Sequence, residues 1–171
     1  MSDKLHFRYS VENPFHISIG AVLVNDEGKV RVHRFTPDTV PKTFLQDFNG
    51  LESIVILMRE SLENNETLEQ AVTRGIQEEF GAEGELEKYL GSEQCFIRTP
   101  RGDFEKTTLY FQMRFIRDGL SRHQDAESSS TLEWAEPEAL IEQMKKQGKA
   151  TGRGDLDESK IIEGYLKYRH V

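Results

Sequence analysis

Cysteine is almost missing from this 171-residue chain. Cys95 is the only one, so no internal disulfide can form and the fold must rest on a packed core. Long apolar runs are missing too. No stretch approaches the roughly 20 apolar residues that a membrane-spanning helix needs, and Met1 to Ser10 is too polar to act as a secretory leader. These absences lead us to expect a soluble protein of a reducing, cytoplasmic compartment, with no membrane partner. Cys95, in an apolar strand-like run, is expected to be a buried and inert thiol. A surplus of positive charge is also lacking: 22 Lys and Arg stand against 30 Asp and Glu, giving a net charge of −8. The overall field therefore repels polyanions, which argues against a nucleic-acid polymer or an anionic membrane as partner. A small phosphorylated ligand could still bind through metal ions and a local group of Arg and Lys. No internal repeat or low-complexity domain is present.

What is there suffices for one folded domain. Hydrophobic residues make up 36% and charged residues 30% of the chain, with ten Phe among them, which is polar but above the range where collapse fails. Leu5, Phe7 and Tyr9 alternate as a short edge strand or dimerisation arm would. His16 to Val24 is an apolar, β-branched run, followed by Asn25-Asp26-Glu27-Gly28 and an alternating segment from Lys29 to Phe35. That is a strand, a turn and a second strand. Two prolines mark 36–41 as a loop. Lys42 to Gly50 fits a short helical turn or a strand, and Ser53 to Leu57 a further strand. Glu83 to Lys88 is acidic and expected to be solvated. Gln94 to Arg98 and Thr107 to Ile116 form a hairpin about 99–103, with Arg101 and Lys106 near its tip as candidate phosphate contacts. Asp118 to Ser130 is rich in Gly, Ser and charge and is expected to be a loop. Thr131 to Leu140 reads as a strand bearing Trp134 that enters a helix at Pro137. Gly148 to Gly154 ends that helix, and Asp155 opens a last amphipathic one.

The stretch around which the rest is arranged is Glu66 to Ala82. Leu68, Ala71, Val72 and Ile76 recur at helical spacing, and Gly81 stands where a left-handed residue would close the helix. Asn65 or Glu66 could cap its start. At about 100° per residue, Gln70, Arg74 and Glu78 share one stripe, and Ala71, Gly75 and Glu79 the next. Two carboxylates thus leave the last turn side by side, at the end where the helix dipole disfavours them. Arg74 paired with Glu78, or a divalent cation, would compensate.

This stretch resembles the Nudix box, G-x5-E-x7-R-E-U-x-E-E-x-G-U with U apolar. Arg74 falls on the arginine, Glu66 on the first glutamate, Ile76 on the apolar position, Glu78 and Glu79 on the glutamate pair, and Gly81 on the glycine. Two positions depart from it: Glu60 replaces the opening glycine, and Gly75 replaces the glutamate after the arginine. The resemblance implies an α/β (α+β) Nudix fold, a mixed β-sheet sandwiched between helices. It also implies a single domain over 1–171, with an arm at 1–11, a loop-helix-loop at 60–82 and a C-terminal helix at 155–171. By resemblance the family's entry hairpin lies at 16–35, and its Pro-Gly-Gly turn becomes Met58-Arg59-Glu60, where side chains occupy positions at which glycine lets backbone approach closely.

The implied activity is hydrolysis of a pyrophosphate bond in a nucleoside diphosphate linked to another group. Mg²⁺, or Mn²⁺ in its place, would be held by Glu78 and Glu79, with Glu127 of the 118–130 loop or Glu60 replacing the carboxylate missing at Gly75. Glu66 would orient the loop and Arg74 would anchor it to the helix. His33 and His123 are weaker candidates for a base. The implied partner is a small phosphorylated, nucleotide-like substrate, and a homodimer is compatible because dimers are common among such relatives. Two readings remain open: a Mg²⁺-dependent hydrolase whose activity the two departures reduce, and a catalytically impaired nucleotide-binding or regulatory protein on the same fold.

Overall fold

The computed structural model describes residues 8–10, 12–40, 42–100, 102–123 and 129–169, with backbone alone at 43, 44 and 46. Its centre is β1, Phe15–Val24. Ile19, Ala21 and Leu23 point to one face of the sheet, Val22 and Val24 to the other, and all five are buried. A strand covered on both faces cannot alternate with polar residues, which is why this segment reads as a continuous apolar run. Its neighbours follow in chain order: β2 (Val30–Phe35), β3 (Ile54–Ile56), β4 (Met58–Ser61), β5 (Ala82–Thr99), β6 (Gly102–Asp118) and β7 (Thr131–Ala135). The sheet runs β3-β2-β1-β6-β5, with β4 paired to β1 and β7 to β2. It is mixed, since β1 runs parallel to β6 and antiparallel to β4.

Helices cover both faces. Helix α1 (Leu68–Phe80) lays Ala71, Val72, Ile76 and Phe80 on Ile19, Leu23 and Met113. On the opposite face, α2 (Pro137–Thr151) and α3 (Ser159–Tyr168) bring Leu140, Met144, Ile161, Ile162 and Tyr165 against Val22, Val55 and Tyr110. The expected sandwich is therefore present. So is the strand that bears Trp134 and enters a helix: Trp134 on β7 meets Phe115 edge-on with ring centroids 5.1 Å apart, and Pro137 begins α2.

Several segments differ from expectation. Met58 to Glu60 is not a turn but part of β4, which pairs Ser18 to Ala21 of β1 with Ser61 to Met58. Residues with side chains sustain a ladder that glycines would leave. Glu83 to Lys88 belongs to the long β5, where Glu83 and Glu85 pair with Arg117 and Arg114 across the strands; cross-strand ion pairs let an acidic segment join a sheet. Helix α2 passes through Gly148 and ends at Gly152, and α3 starts at Ser159 after a 3-10 turn over Gly154–Leu156. Lys42–Phe48 is a 3-10 segment, the helical one of the two alternatives expected there. Most of the 1–11 arm lies outside the described residues, although Tyr9 stacks on Phe104 at 4.3 Å. Cys95 is half-buried rather than sealed in the core, and burial pushes its thiol up. No helix among the described residues is long and apolar enough to cross a membrane.

Candidate active site

The loop before α1 is fixed by one arginine. Thr67, not Asn65 or Glu66, caps the helix, and Gln70 completes a reciprocal capping box with it. Asn65 instead supplies the left-handed turn residue, with φ 66°. That leaves the Glu66 carboxylate free to accept from the Glu63 amide at 2.7 Å and from Arg74 in a bidentate pair, Nε to Oε2 at 3.1 Å and Nη2 to Oε1 at 2.8 Å. Arg74 Nη2 also donates to the Ser61 carbonyl at 2.9 Å, and Nη1 donates to Glu78 Oε2 at 3.1 Å. Glu60 and Glu63 each stand 4.0 Å from that same Nη1. The guanidinium ties the end of β4, the loop and the last turn of α1 into one unit, a use that suits its rigid fork.

Glu78 and Glu79 leave the helix into different surroundings. Glu78 lies at the rim, its side chain one-fifth exposed, and its second oxygen is 3.7 Å from His123 Nδ1. Residues 120–123 cross the helix end: the Leu120 amide donates to the Gly81 carbonyl and the His123 amide to the Glu78 carbonyl. Gly81 is left-handed there, and a Cβ on it would lie 2.7 Å from the Leu120 carbonyl oxygen, so only glycine meets both demands. Glu79, by contrast, is 2% exposed, and its Oε2 lies 2.8 Å from His33 Nε2. The His33 Nδ1 in turn lies 2.7 Å from Ser130 Oγ. Burial, with Arg122, Arg59 and Arg31 nearby, brings the His33 pKa down to about 3, so the ring is neutral. An ionised Glu79 only accepts, which assigns the proton to Nε2 and makes Ser130 the donor to Nδ1.

Gly75 sits against β4. A Cβ built on it would meet the Met58 thioether at 2.7 Å and the Glu60 Cβ at 3.2 Å. Met58 and Glu60 thus face α1, while Arg59 between them points through to the other side of the sheet. There a cleft of about 370 Å³ is lined by Arg59, Glu93, Cys95, Tyr110, Asp155 and Lys160, among others. Its floor is a buried network. Glu158 is fully buried and accepts from the Leu57 amide at 2.9 Å and the Tyr110 hydroxyl at 2.5 Å, with Arg59 Nε 3.7 Å away; Arg59 also donates to the Asp155 carbonyl at 2.7 Å. Burial, reinforced by Glu158 and Asp157, raises the Glu93 carboxyl to about 8, and burial lowers Lys106 to about 8. Clefts that hold convergent polar groups with shifted pKa values are favoured ligand sites.

The structure therefore brings Arg74, Glu66 and Glu78 together, and turns Glu79 inward to His33. Glu127 and Arg101 lie outside the described residues. No group of three His, Cys, Asp or Glu suited to a metal ion forms among the described residues. Arg59, Glu158 and Tyr110 escaped the sequence reading. An arginine following the apolar run 54–58 was the one available signal, because a charge in such a place needs a buried partner.

The site is a loop-helix-loop carrying glutamates beside a mixed sheet, the arrangement of a pyrophosphate-hydrolase fold, and the NUDIX domain family matches residues 14–154. The chain belongs to the Nudix family. Solved structures agree on the fold. A NUDIX hydrolase from Nitrosomonas europaea superposes with a TM-score of 0.61 at 18% identity, covering 88% of each chain. The MutT protein from Methanosarcina mazei Go1 gives 0.58 at 17% identity, covering 95% of this chain and 100% of that one. The E. coli ORF135 protein gives 0.57 at 17%, covering 90% and 89%. No curated protein sequence matches this chain.

Proposed function

We propose that this protein hydrolyses a pyrophosphate bond in a small nucleoside diphosphate derivative with the help of a divalent cation, Mg²⁺ or Mn²⁺. The observation that carries the reading is the Arg74 hub: a single guanidinium faces Glu60, Glu63, Glu66 and Glu78. The surplus of carboxylate there favours a further cation. The donor set fits a Mg²⁺-type ion, which takes one or two carboxylates and completes its shell with water and substrate phosphate. Glu60 and Glu78 are the side chains that would hold it, whereas Glu79 is engaged by His33. Bound there, such an ion supplies charge neutralisation on phosphoryl oxygens and a water acidic enough to attack at neutral pH.

The chain's own groups do the rest. Arg74 and Glu66 hold the loop against the helix, so the rim carboxylates do not reorganise when substrate arrives. The cleft on the far side of β4, with Arg59 and Lys160 as cations and Glu93 as a carboxyl raised to about 8, lies across the sheet from these rim carboxylates and is not part of the reacting site. The second reading, a binding protein with little turnover, is favoured by the engagement of Glu79 with His33. A phosphate-release screen over nucleoside diphosphate sugars, dinucleoside polyphosphates and nucleoside triphosphates, with and without Mg²⁺, separates the two. Magnesium-dependent turnover that drops by on the order of 100-fold in Glu78→Gln is the expected result. Ligand-induced thermal stabilisation with no turnover overturns the hydrolase in favour of the binder.

A further inference from the structure

We infer that Asn49 is a site of spontaneous modification: its side-chain amide is lost to attack by the Gly50 backbone nitrogen, and the carboxylate left behind releases the Lys42–Phe48 segment from the end of α2. The chain has five asparagines, at 13, 25, 49, 64 and 65, and only Asn49 precedes a glycine. A side chain shields its own backbone nitrogen, whereas glycine lets another group approach closely. Asn13 precedes Pro14, whose nitrogen carries no proton to give up. Asn64 and Asn65 precede Asn65 and Glu66, whose side chains stand in the way. Asn25 precedes Asp26 and is pinned as well, since its Oδ1 accepts from the Glu27 and Lys29 amides at 3.0 Å each.

The local fold presents the reacting pair to water. Asn49 and Gly50 are the corner of a tight turn, with φ of 43° and 82°, closed by the Leu51 amide donating to the Phe48 carbonyl at 2.8 Å. Both residues are exposed, and the space a Gly50 Cβ would take is open. The Gly50 amide donates no hydrogen bond among the described residues. In the reaction the Gly50 nitrogen bonds to Asn49 Cγ and gives up its proton, the Cγ–Nδ2 bond breaks, and ammonia leaves, which closes a five-membered imide. Water then adds to either imide carbonyl and opens one C–N bond, giving aspartate or isoaspartate. Nothing besides water is consumed.

The amide that is lost has a task. Asn49 Nδ2 donates to the Ala150 carbonyl, one of the last four of α2 and so without a partner inside the helix. A carboxylate there cannot donate, and it faces the negative pole of the helix. The release reaches further along the segment. Asp47 stands 3.5 Å from Arg153, whose guanidinium grips Asp155 at 3.1 and 2.8 Å, and the Asp155 carbonyl accepts from Arg59. The tie at Asn49 therefore steadies the Gly154–Leu156 turn beside the cleft.

The full chain, held at pH 8 and 37 °C and sampled over weeks, tests this by peptide mapping in a mass spectrometer with isoaspartate read separately from aspartate. Asn49 is expected to convert about tenfold or more ahead of every other asparagine. Asn49→Gln, whose longer side chain cannot close a five-membered ring, is expected to stay unconverted. Hydrogen exchange then compares the parent with Asn49→Asp, which carries the charge of the product from the start. Amides of 47–53 and 150–156 should exchange about tenfold faster in Asn49→Asp, with those of α1 unchanged. Conversion at Asn49 no faster than at Asn25 or Asn65, or exchange in Asn49→Asp that matches the parent, overturns the inference and leaves the hydrolase reading untouched.

Discussion

Arg59 and Glu60 are adjacent on β4, yet they serve opposite designs. On the α1 side, Glu60 joins three other glutamates around the single guanidinium of Arg74, partly open to solvent and in anionic excess. On the cleft side, Arg59 is matched by the fully buried Glu158 and sits among Lys106, Lys160, Glu93 and Asp155, an arrangement near electrical balance. The alternation of a strand is what allows this: successive side chains leave opposite faces, so four residues present two chemistries about one strand's thickness apart. The lesson concerns dielectric as well as direction. Buried charge must be paired internally, whereas rim charge can be left in excess for an ion or ligand to settle.

The comparison can be broken most severely on the cleft side. Glu158→Ala leaves Arg59 buried without its counter-charge and strips the Leu57 amide and the Tyr110 hydroxyl of their acceptor. A loss of about 3–5 kcal/mol in urea unfolding is expected. Arg74→Ala should cost less, about 2–3 kcal/mol, because its side chain is one-fifth exposed and water can solvate the released carboxylates. If the two losses came out equal, the distinction between a sealed side and an open side would fail.

Next in size is a pH effect beneath α1. The His33 pKa is lowered to about 3 in the folded protein against an ordinary value of 6.5. A depressed basic group contributes stability in full above the unfolded value, and that contribution is lost as pH falls from about 6.5 toward 3, where only the unfolded chain takes up the proton. His16, lowered to about 4 by burial with Lys106 and Arg8 nearby, adds to the same window. Chemical denaturation between pH 7 and pH 4.5 should show a loss of roughly 1.4 kcal/mol per pH unit from His33, with a smaller, solvent-screened contribution from His16, and His33→Asn should flatten the slope by the His33 contribution. An unchanged slope would show that His33 is charged against Glu79.

The smallest effect is expected at Glu93, whose carboxyl is raised to about 8. Its folded-state pKa lies above the unfolded value, so stability is lost as pH rises from about 4.5 through 8, the sign opposite to that of His33. Glu93→Gln should raise the melting temperature slightly at pH 9 and leave it unchanged at pH 5. A rise at pH 5 would place the effect in packing instead of charge.

Much of the frame was legible from local pattern. The entry hairpin, the closing Trp134 strand, Pro137 at the start of α2, and α1 with Gly81 at its end all follow from periodicity and from backbone demands that act within a few residues. The bond of Arg74 to Glu78 was legible for the same reason, since Glu78 lies one turn on, whereas the bond to Glu66 crosses the loop before the helix cap and came from the tertiary structure. Thr67 as the true cap was missed because three consecutive residues, 65 to 67, can all cap, and the choice fell to the bond between Glu66 and Arg74. What residue 58 to 60 would form was missed because a strand is made by its partner, and that partner is β1, some forty residues earlier.

Helical spacing alone determined that Glu78 and Glu79 leave the last turn of α1 on adjacent stripes, and that Gly75 opens a gap one turn before Glu79. Only the tertiary structure decided what those stripes meet. His33, 46 residues from Glu79 in sequence, draws that carboxylate into the core, while Glu60 comes across from β4 to border Gly75. The physical reason is the range of the forces: backbone torsions and i to i+4 neighbours fix where a side chain starts, but its partner, its burial and hence its charge are set by segments that reach it through the fold.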